Sequence, residues 1–205
     1  FYDYGSNYGY DLYTPDADDE YYEELTDATT DGLSYQVEWH QETAYPDDSD
    51  ENAYLSLYYP TFSGDHEELL ESINGKVREM IHRYDGSYTE DGAVVSTVVY
   101  VTLMEEDRLS LVCKYEVSGK NDYYGLDALN MNMTTGTEIP NSTLLEVDDT
   151  LVTRFRVQNS KQNGSITWLD DMSDEELLKI LSDDEKRVVF LTPVGTEVGV
   201  NTDDG

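Results

Sequence analysis

Residues 93–117 read AVVSTVVYVTLMEEDRLSLVCKYEV, and this stretch decides the fold. Two runs rich in β-branched and aliphatic residues, 93–103 and 109–117, flank the acidic turn Glu105–Arg108. β-Branched side chains are stiff at χ1 and suit a pleated strand better than a helix. Two such runs joined by a short polar turn predict a hairpin. A lone hairpin is not stable in water, so an amphipathic element is expected to pack across it.

That element lies upstream. Across 65–84, Leu69, Ile73, Val77, Met80, Ile81 and Tyr84 recur at helical spacing and mark one apolar face. Asp65 reads as the N-cap, with Glu68 three residues on. Acids lead, and Lys76, Arg78 and Arg83 follow, an order that suits the helix dipole. Gly75 costs about 1 kcal/mol against Ala inside a helix and predicts a close approach to a strand.

Working outward, Tyr35, Val37 and Trp39 alternate with Gln36, Glu38 and His40, the period of a half-buried strand. Residues 46–52 (PDDSDEN) read as a turn, and 54–59 as a second strand stopped by Pro60. Residues 126–133 predict a further strand, closed by the turn Thr134-Thr135-Gly136. Residues 155–157 and 165–169 read as short strands, or a helix runs through 147–158; periodicity leaves both open. Ser173 with Glu176 forms a capping box for a short helix carrying Leu177, Leu178, Ile180 and Leu181. Residues 187–191 and 197–200 predict a last strand pair around Thr192-Pro193-Val194-Gly195. The fold class is α+β: a mostly antiparallel sheet with one long amphipathic helix and one short helix packed against it.

Residues 1–33 mix Tyr, Asp, Glu and Gly with almost no aliphatic residues. Such a segment buries too little apolar surface to offset its ordering entropy. It reads as an acidic, Tyr-rich lead-in or linker; its alternatives are a sticky acidic-aromatic arm for a basic partner, and tyrosines that fold back on the domain. A single domain then covers 34–205.

The chain carries 12 Lys+Arg against 45 Asp+Glu, a net charge of −33. Residues 1–75 hold 20 of the acids and no Lys or Arg. A phosphate backbone would be repelled, which excludes nucleic acid as a partner. An anionic lipid surface is disfavoured for the same reason. No apolar run approaches the ~18 residues that span a bilayer, so a membrane link would run through an anchor outside this chain. The single cysteine, Cys113, excludes an internal disulfide.

Catalytic chemistry finds little support. His66 and His82 are sixteen residues apart, too far for a helical metal pair, and His40 ends a strand. Cys113 sits mid-strand between Val112 and Lys114 and reads as a buried structural thiol. The acidic clusters at Asp16, Asp18, Asp19 and Glu20 and at Asp47, Asp48, Asp50 and Glu51 lack the glycine and terminal glutamate of a calcium loop. No catalytic residue, cofactor or metal is expected.

One pattern goes beyond composition. Tyr58-Tyr59-Pro60-Thr61-Phe62-Ser63-Gly64 leads into a helix containing Ile73-Asn74. Thr134-Thr135-Gly136 follows the central strands. Phe190-Leu191-Thr192-Pro193-Val194-Gly195 then leads to Val198-Gly199-Val200-Asn201. In order and spacing this resembles the extracellular domain family shared by lysozyme-sensing anti-sigma factors and the non-catalytic part of peptidoglycan deacetylases. Two departures stand out. Members carry a Gly-Gly-Ala-His stretch where this chain has Ser118-Gly119-Lys120-Asn121-Asp122-Tyr123-Tyr124-Gly125. They also continue past the last strand, so the resemblance implies a domain truncated at its C-terminal end.

The resemblance implies an exported, non-enzymatic cell-surface binding or sensor domain of a Gram-positive bacterium, extracellular and tethered through an outside anchor. Its alternatives are the sensing domain of an anti-sigma factor bound by lysozyme or another cationic protein, and an accessory domain of a cell-wall hydrolase or deacetylase. The expected partner is a cationic protein or a cell-wall component. The candidate binding residues are Tyr58, Tyr59, Tyr123 and Tyr124.

Overall fold

The computed structural model describes residues 17–27, 32–46, 52–161 and 167–201. In chain order they form α1 (Ala17–Asp27), β1 (Tyr35–Ala44), β2 (Tyr54–Gly64), α2 (Glu67–Ile81), α3 (Asp85–Glu90), β3 (Val94–Met104) and β4 (Arg108–Ser118). There follow β5 (Tyr123–Asn132), β6 (Thr137–Glu138), α4 (Asn141–Leu144), α5 (Asp149–Asn159), a 3-10 turn at Thr167–Asp170, α6 (Asp174–Leu181), β7 (Arg187–Thr192) and β8 (Gly195–Val200). Strands β1 to β6 make one sheet in sequence order, and β7 and β8 make a second. Neighbours in the large sheet are antiparallel except β2 and β3, a parallel pair joined through α2 and α3. The fold is α+β with a mostly antiparallel sheet.

The β3–β4 hairpin forms as its composition predicts and is covered on both faces. Val95, Val99 and Val101 of β3 and Leu109, Leu111, Cys113, Tyr115 and Val117 of β4 share a core with Ile73, Val77, Met80 and Ile81 of α2. Tyr100 and Val112 point the other way, to Tyr22 of α1 and Val188 and Phe190 of β7. Burial on both sides is why these strands are nearly continuous apolar runs. A third core joins Leu151, Val152, Leu169, Leu177 and Leu181 to Val198 and Val200 of β8. The β7–β8 hairpin therefore lies between the large sheet and the α5–α6 pair.

Several expectations need correction. The long helix begins at Glu67 with His66 as an N-cap that makes no side-chain capping bond. The Asp65 N–H instead donates to the Ser34 carbonyl at 3.1 Å. The buried stripe runs through Leu70, with Leu69 only half-buried. A Cβ at Gly75 would meet nothing within 4 Å, so no close approach explains that glycine. Strand β2 passes through Pro60 to Gly64. Its ladder with β3 ends at Tyr58↔Val98, so Pro60 lies where one edge of β2 has no neighbouring strand, and a missing N–H is tolerated there. The short helix α6 packs on α5 and β8 rather than on the large sheet. Residues 149–159 form the helix α5, with the Asp148 carboxylate accepting from the Leu151 N–H at the N-cap.

The 1–33 lead-in contains α1. Tyr22 is buried against Tyr100 and Phe190, at ring separations of 5.4 and 5.9 Å. Thr26 Oγ1 accepts from the Val101 N–H at 3.1 Å. One aromatic anchor holds this helix, where an aliphatic count finds nothing. The acidic turn 47–51 lies outside the described residues, as do 1–16.

Candidate binding surface

Strand register sorts the four candidate tyrosines. Ser56, Ser96, Glu116 and Tyr124 form one row across β2 to β5, and Tyr58, Val98, Lys114 and Leu126 form another. Paired residues share a face of a sheet. Tyr58 and Tyr124 therefore lie on one face, the one that α1 and β7 cover farther along. Tyr59 and Tyr123 pack on the opposite face, against the α2 core.

The Tyr58 face is built around ring contacts at the outer ribbon. Tyr58 stacks on Trp39 with centroids 5.2 Å apart and planes within 5°. At the tip of the same ribbon Tyr45, 67% exposed, lies 6.3 Å from Tyr54. Lys114 is buried beneath, with Nζ 3.7 Å from Glu116 and 5.1 Å from the Tyr124 ring centroid. On the other face of the ribbon His40 stacks on Tyr59, whose hydroxyl donates to the Glu42 carboxylate. That bond raises the Tyr59 phenol above its ordinary range. The β4–β5 turn closes over the same end of the sheet. Gly119 is required there, since a Cβ would lie 2.8 Å from that of Ala93. Ring faces beside carboxylates bind ammonium and guanidinium groups, the first through the quadrupole and the second through charge-assisted hydrogen bonds.

Tyr123 belongs to a structural cluster instead. Its ring lies 4.9 Å from Tyr84, which meets Tyr115 edge-on at 4.9 Å. The Tyr115 hydroxyl donates to the Met80 carbonyl at 2.8 Å. Arg83 pairs with Asp127 at 2.7 Å. Burial pushes the Asp127 carboxyl up, and Arg83 pulls it part of the way back. Burial also pushes the Tyr84 and Tyr115 phenols and the Cys113 thiol well up, so Cys113 stays a protonated thiol. Together these groups lock the end of α2 onto β4 and β5.

A cleft of about 600 Å³ opens at the other end of the sheet, beside the start of α2, over Tyr35, His66, Glu67, Leu70, Glu106 and Met133. Glu106 accepts from the Ser34 N–H at 2.8 Å and the Ser34 hydroxyl at 2.6 Å, which holds its carboxyl below the ordinary range. Elsewhere the His82 ring faces Asp85 at 2.7 Å, and His40 Nε2 lies 2.6 Å from Thr61 Oγ1. Among the described residues no three His, Cys, Asp or Glu side chains are grouped to hold a metal ion.

Two motif asparagines have roles that sequence reasoning missed. Asn74 Oδ1 accepts from the Phe62 N–H at 2.8 Å, and its Nδ2 donates to the Phe62 carbonyl at 2.9 Å. Asn201 makes the same pair with Leu126, at 2.9 and 2.8 Å. Each amide finishes a stretch of sheet edge as a neighbouring strand would. The available signal was an amide set directly beside an apolar run, Ile73 in one case and Val200 in the other.

No family model matches the sequence, and no curated protein matches it. Two of the solved structures similar to the chain belong to one family. One is a DUF3298 family protein from Pseudomonas aeruginosa PAO1, at 12% identity, covering 75% of this chain and 77% of that one, with a TM-score of 0.47. The other is a member of the DUF3298 family from Bacteroides fragilis NCTC 9343, at 14% identity, covering 83% and 90%, with a TM-score of 0.43.

Proposed function

We propose that this chain is a non-enzymatic binding domain at the surface of a Gram-positive cell, and that its partner is cationic, a basic protein or a basic cell-wall component. The observation that carries the reading is the outer end of the sheet. There the Tyr45–Tyr54 and Trp39–Tyr58 ring pairs lie on the β1–β2 ribbon, with Glu42 on its other face from Tyr58, in a chain of net charge −33. Tyrosine offers contact area at low rotamer cost, and the carboxylates steer a basic partner toward it. The protonated, buried Cys113 thiol and the engaged rings of His40 and His82 support a binding role over a catalytic one. Export and the Gram-positive envelope rest on the motif resemblance, which also makes lysozyme the first basic protein to try.

The test is a side-by-side titration of immobilised chain with lysozyme and with soluble peptidoglycan fragments. Replacing Tyr45 and Tyr54 together with Ser should weaken the bound partner about tenfold, the usual weight of a pair of aromatic contacts. Absence of binding to either ligand would defeat the proposal, and unchanged affinity in the double variant would put the surface elsewhere.

A further inference from the structure

The outer edge of the large sheet carries a more specific reading. β1 has β2 on one side and, among the described residues, no strand on the other. It is ten residues long and pairs with β2 without a break, from Tyr35↔Gly64 to Ala44↔Leu55. An open edge presents alternate unpaired N–H and C=O groups, a template for another strand. Proteins blunt such edges with charged side chains, Pro, a bulge or a very short strand. The β1 sequence, YQVEWHQETA, has no Pro, no bulge and full length, and relies on charge alone.

What β1 does carry is two exposed carboxylates, Glu38 and Glu42. They are four residues apart, so they share one face, with His40 between them. Val37 and Trp39, both half-buried, alternate onto the other face, where Trp39 stacks on Tyr58. A second copy added here would bring carboxylates against carboxylates, in a chain already at −33, and like charges across a ladder destabilise it. The same two groups attract a strand with basic side chains. Glu42 is held in place by the Tyr59 hydroxyl and keeps lone pairs for a second donor.

We propose that β1 takes an extended basic segment of the partner as a seventh strand, with Glu38 and Glu42 pairing basic residues four apart and Trp39 flanked by an apolar one. This rests on the cationic-partner reading above and names how that partner engages.

The test uses the full chain and two synthetic peptides, TKVTVKT and TEVTVET, followed by amide hydrogen exchange resolved along β1. The basic peptide at millimolar concentration should slow the outward-facing β1 amides about tenfold, and the acidic one should leave them unchanged. In a chain carrying Glu38→Lys and Glu42→Lys the preference should reverse. Thermal unfolding checks that this variant is folded, and Glu38→Gln, which adds no charge, should weaken TKVTVKT binding with the fold undisturbed. Equal effects of both peptides would overturn the proposal. So would β1 amides that already exchange slowly in the free chain. Lysozyme bound with the β1 amides unaltered would overturn the edge pairing and leave the cationic-partner reading standing. Absence of any cationic binding would end that reading itself.

Discussion

Replacing Asn74 with Ala tests how the sheet is finished beyond its parallel ladder. From Tyr59 onward β2 has no β3 partner, and the Asn74 amide takes both backbone groups of Phe62. Phe62 is buried, so water cannot replace that amide freely. Leaving a buried backbone donor or acceptor unpaired costs about 1–3 kcal/mol. Against this, Ala returns up to about 0.7 kcal/mol of helix propensity. With both groups left unpaired the expected net loss is about 1–5 kcal/mol, which for a chain of this size lowers Tm by about 3–20 °C. Urea unfolding should show a lower midpoint with an unchanged slope, since the area exposed on unfolding is the same. The adjacent Gly75→Ala change is the internal control. A Cβ there meets nothing, so it should stabilise the chain by about 0.5–1 kcal/mol. An Asn74→Ala variant within about 0.5 kcal/mol of the parent, the usual range of a neutral surface change, would show that the Asn74 amide does not finish the β2 edge.

Cys113 should resist a thiol reagent in the folded chain and react once the chain is unfolded, because it is fully buried with its thiol protonated; rapid labelling of native protein would contradict the packing of β4. Carboxyl titration by NMR should place Glu106 and Glu176 below the ordinary Glu range, held there by Ser34 and Ser173, and Asp127 above the ordinary Asp range. The signs follow: the first two contribute stability that is present at neutral pH and lost as pH falls through their depressed values, whereas the cost of ionising Asp127 appears as pH rises through its raised value. A reversed order of Asp127 and Glu106 would show the burial of Asp127 to be wrong.

The elements that were legible are those whose pattern repeats. The β3–β4 hairpin, the stripe Ile73, Val77 and Ile81, and the Ser173–Glu176 box each state their structure several times over. What escaped depends on single long-range contacts. α1 is held by Tyr22, and no periodicity announces one buried ring. Pro60 reads as a stop because its tolerance depends on where β3 leaves β2, a tertiary fact. The candidate site divides the same way. The pairs Tyr58-Tyr59 and Tyr123-Tyr124 were visible as aromatic doublets, but adjacent strand residues face opposite sides. One member of each pair is therefore drawn onto the α2 face, and the other lies on the face that α1 and β7 cover farther along.

The most direct test of a cationic partner is the salt dependence of lysozyme binding, measured by calorimetry on the parent chain and on the Tyr45→Ser, Tyr54→Ser double variant. At ~0.15 M salt, charge attraction is screened beyond about 8 Å, so steering fades while close contacts persist. Parent affinity should fall clearly between low salt and roughly 0.5 M, where screening is stronger still, and a salt-resistant component should remain. In the double variant that component should shrink about tenfold. Affinity that vanishes entirely at high salt, or a salt-resistant component untouched by removing both rings, would contradict a cationic partner docked on these rings.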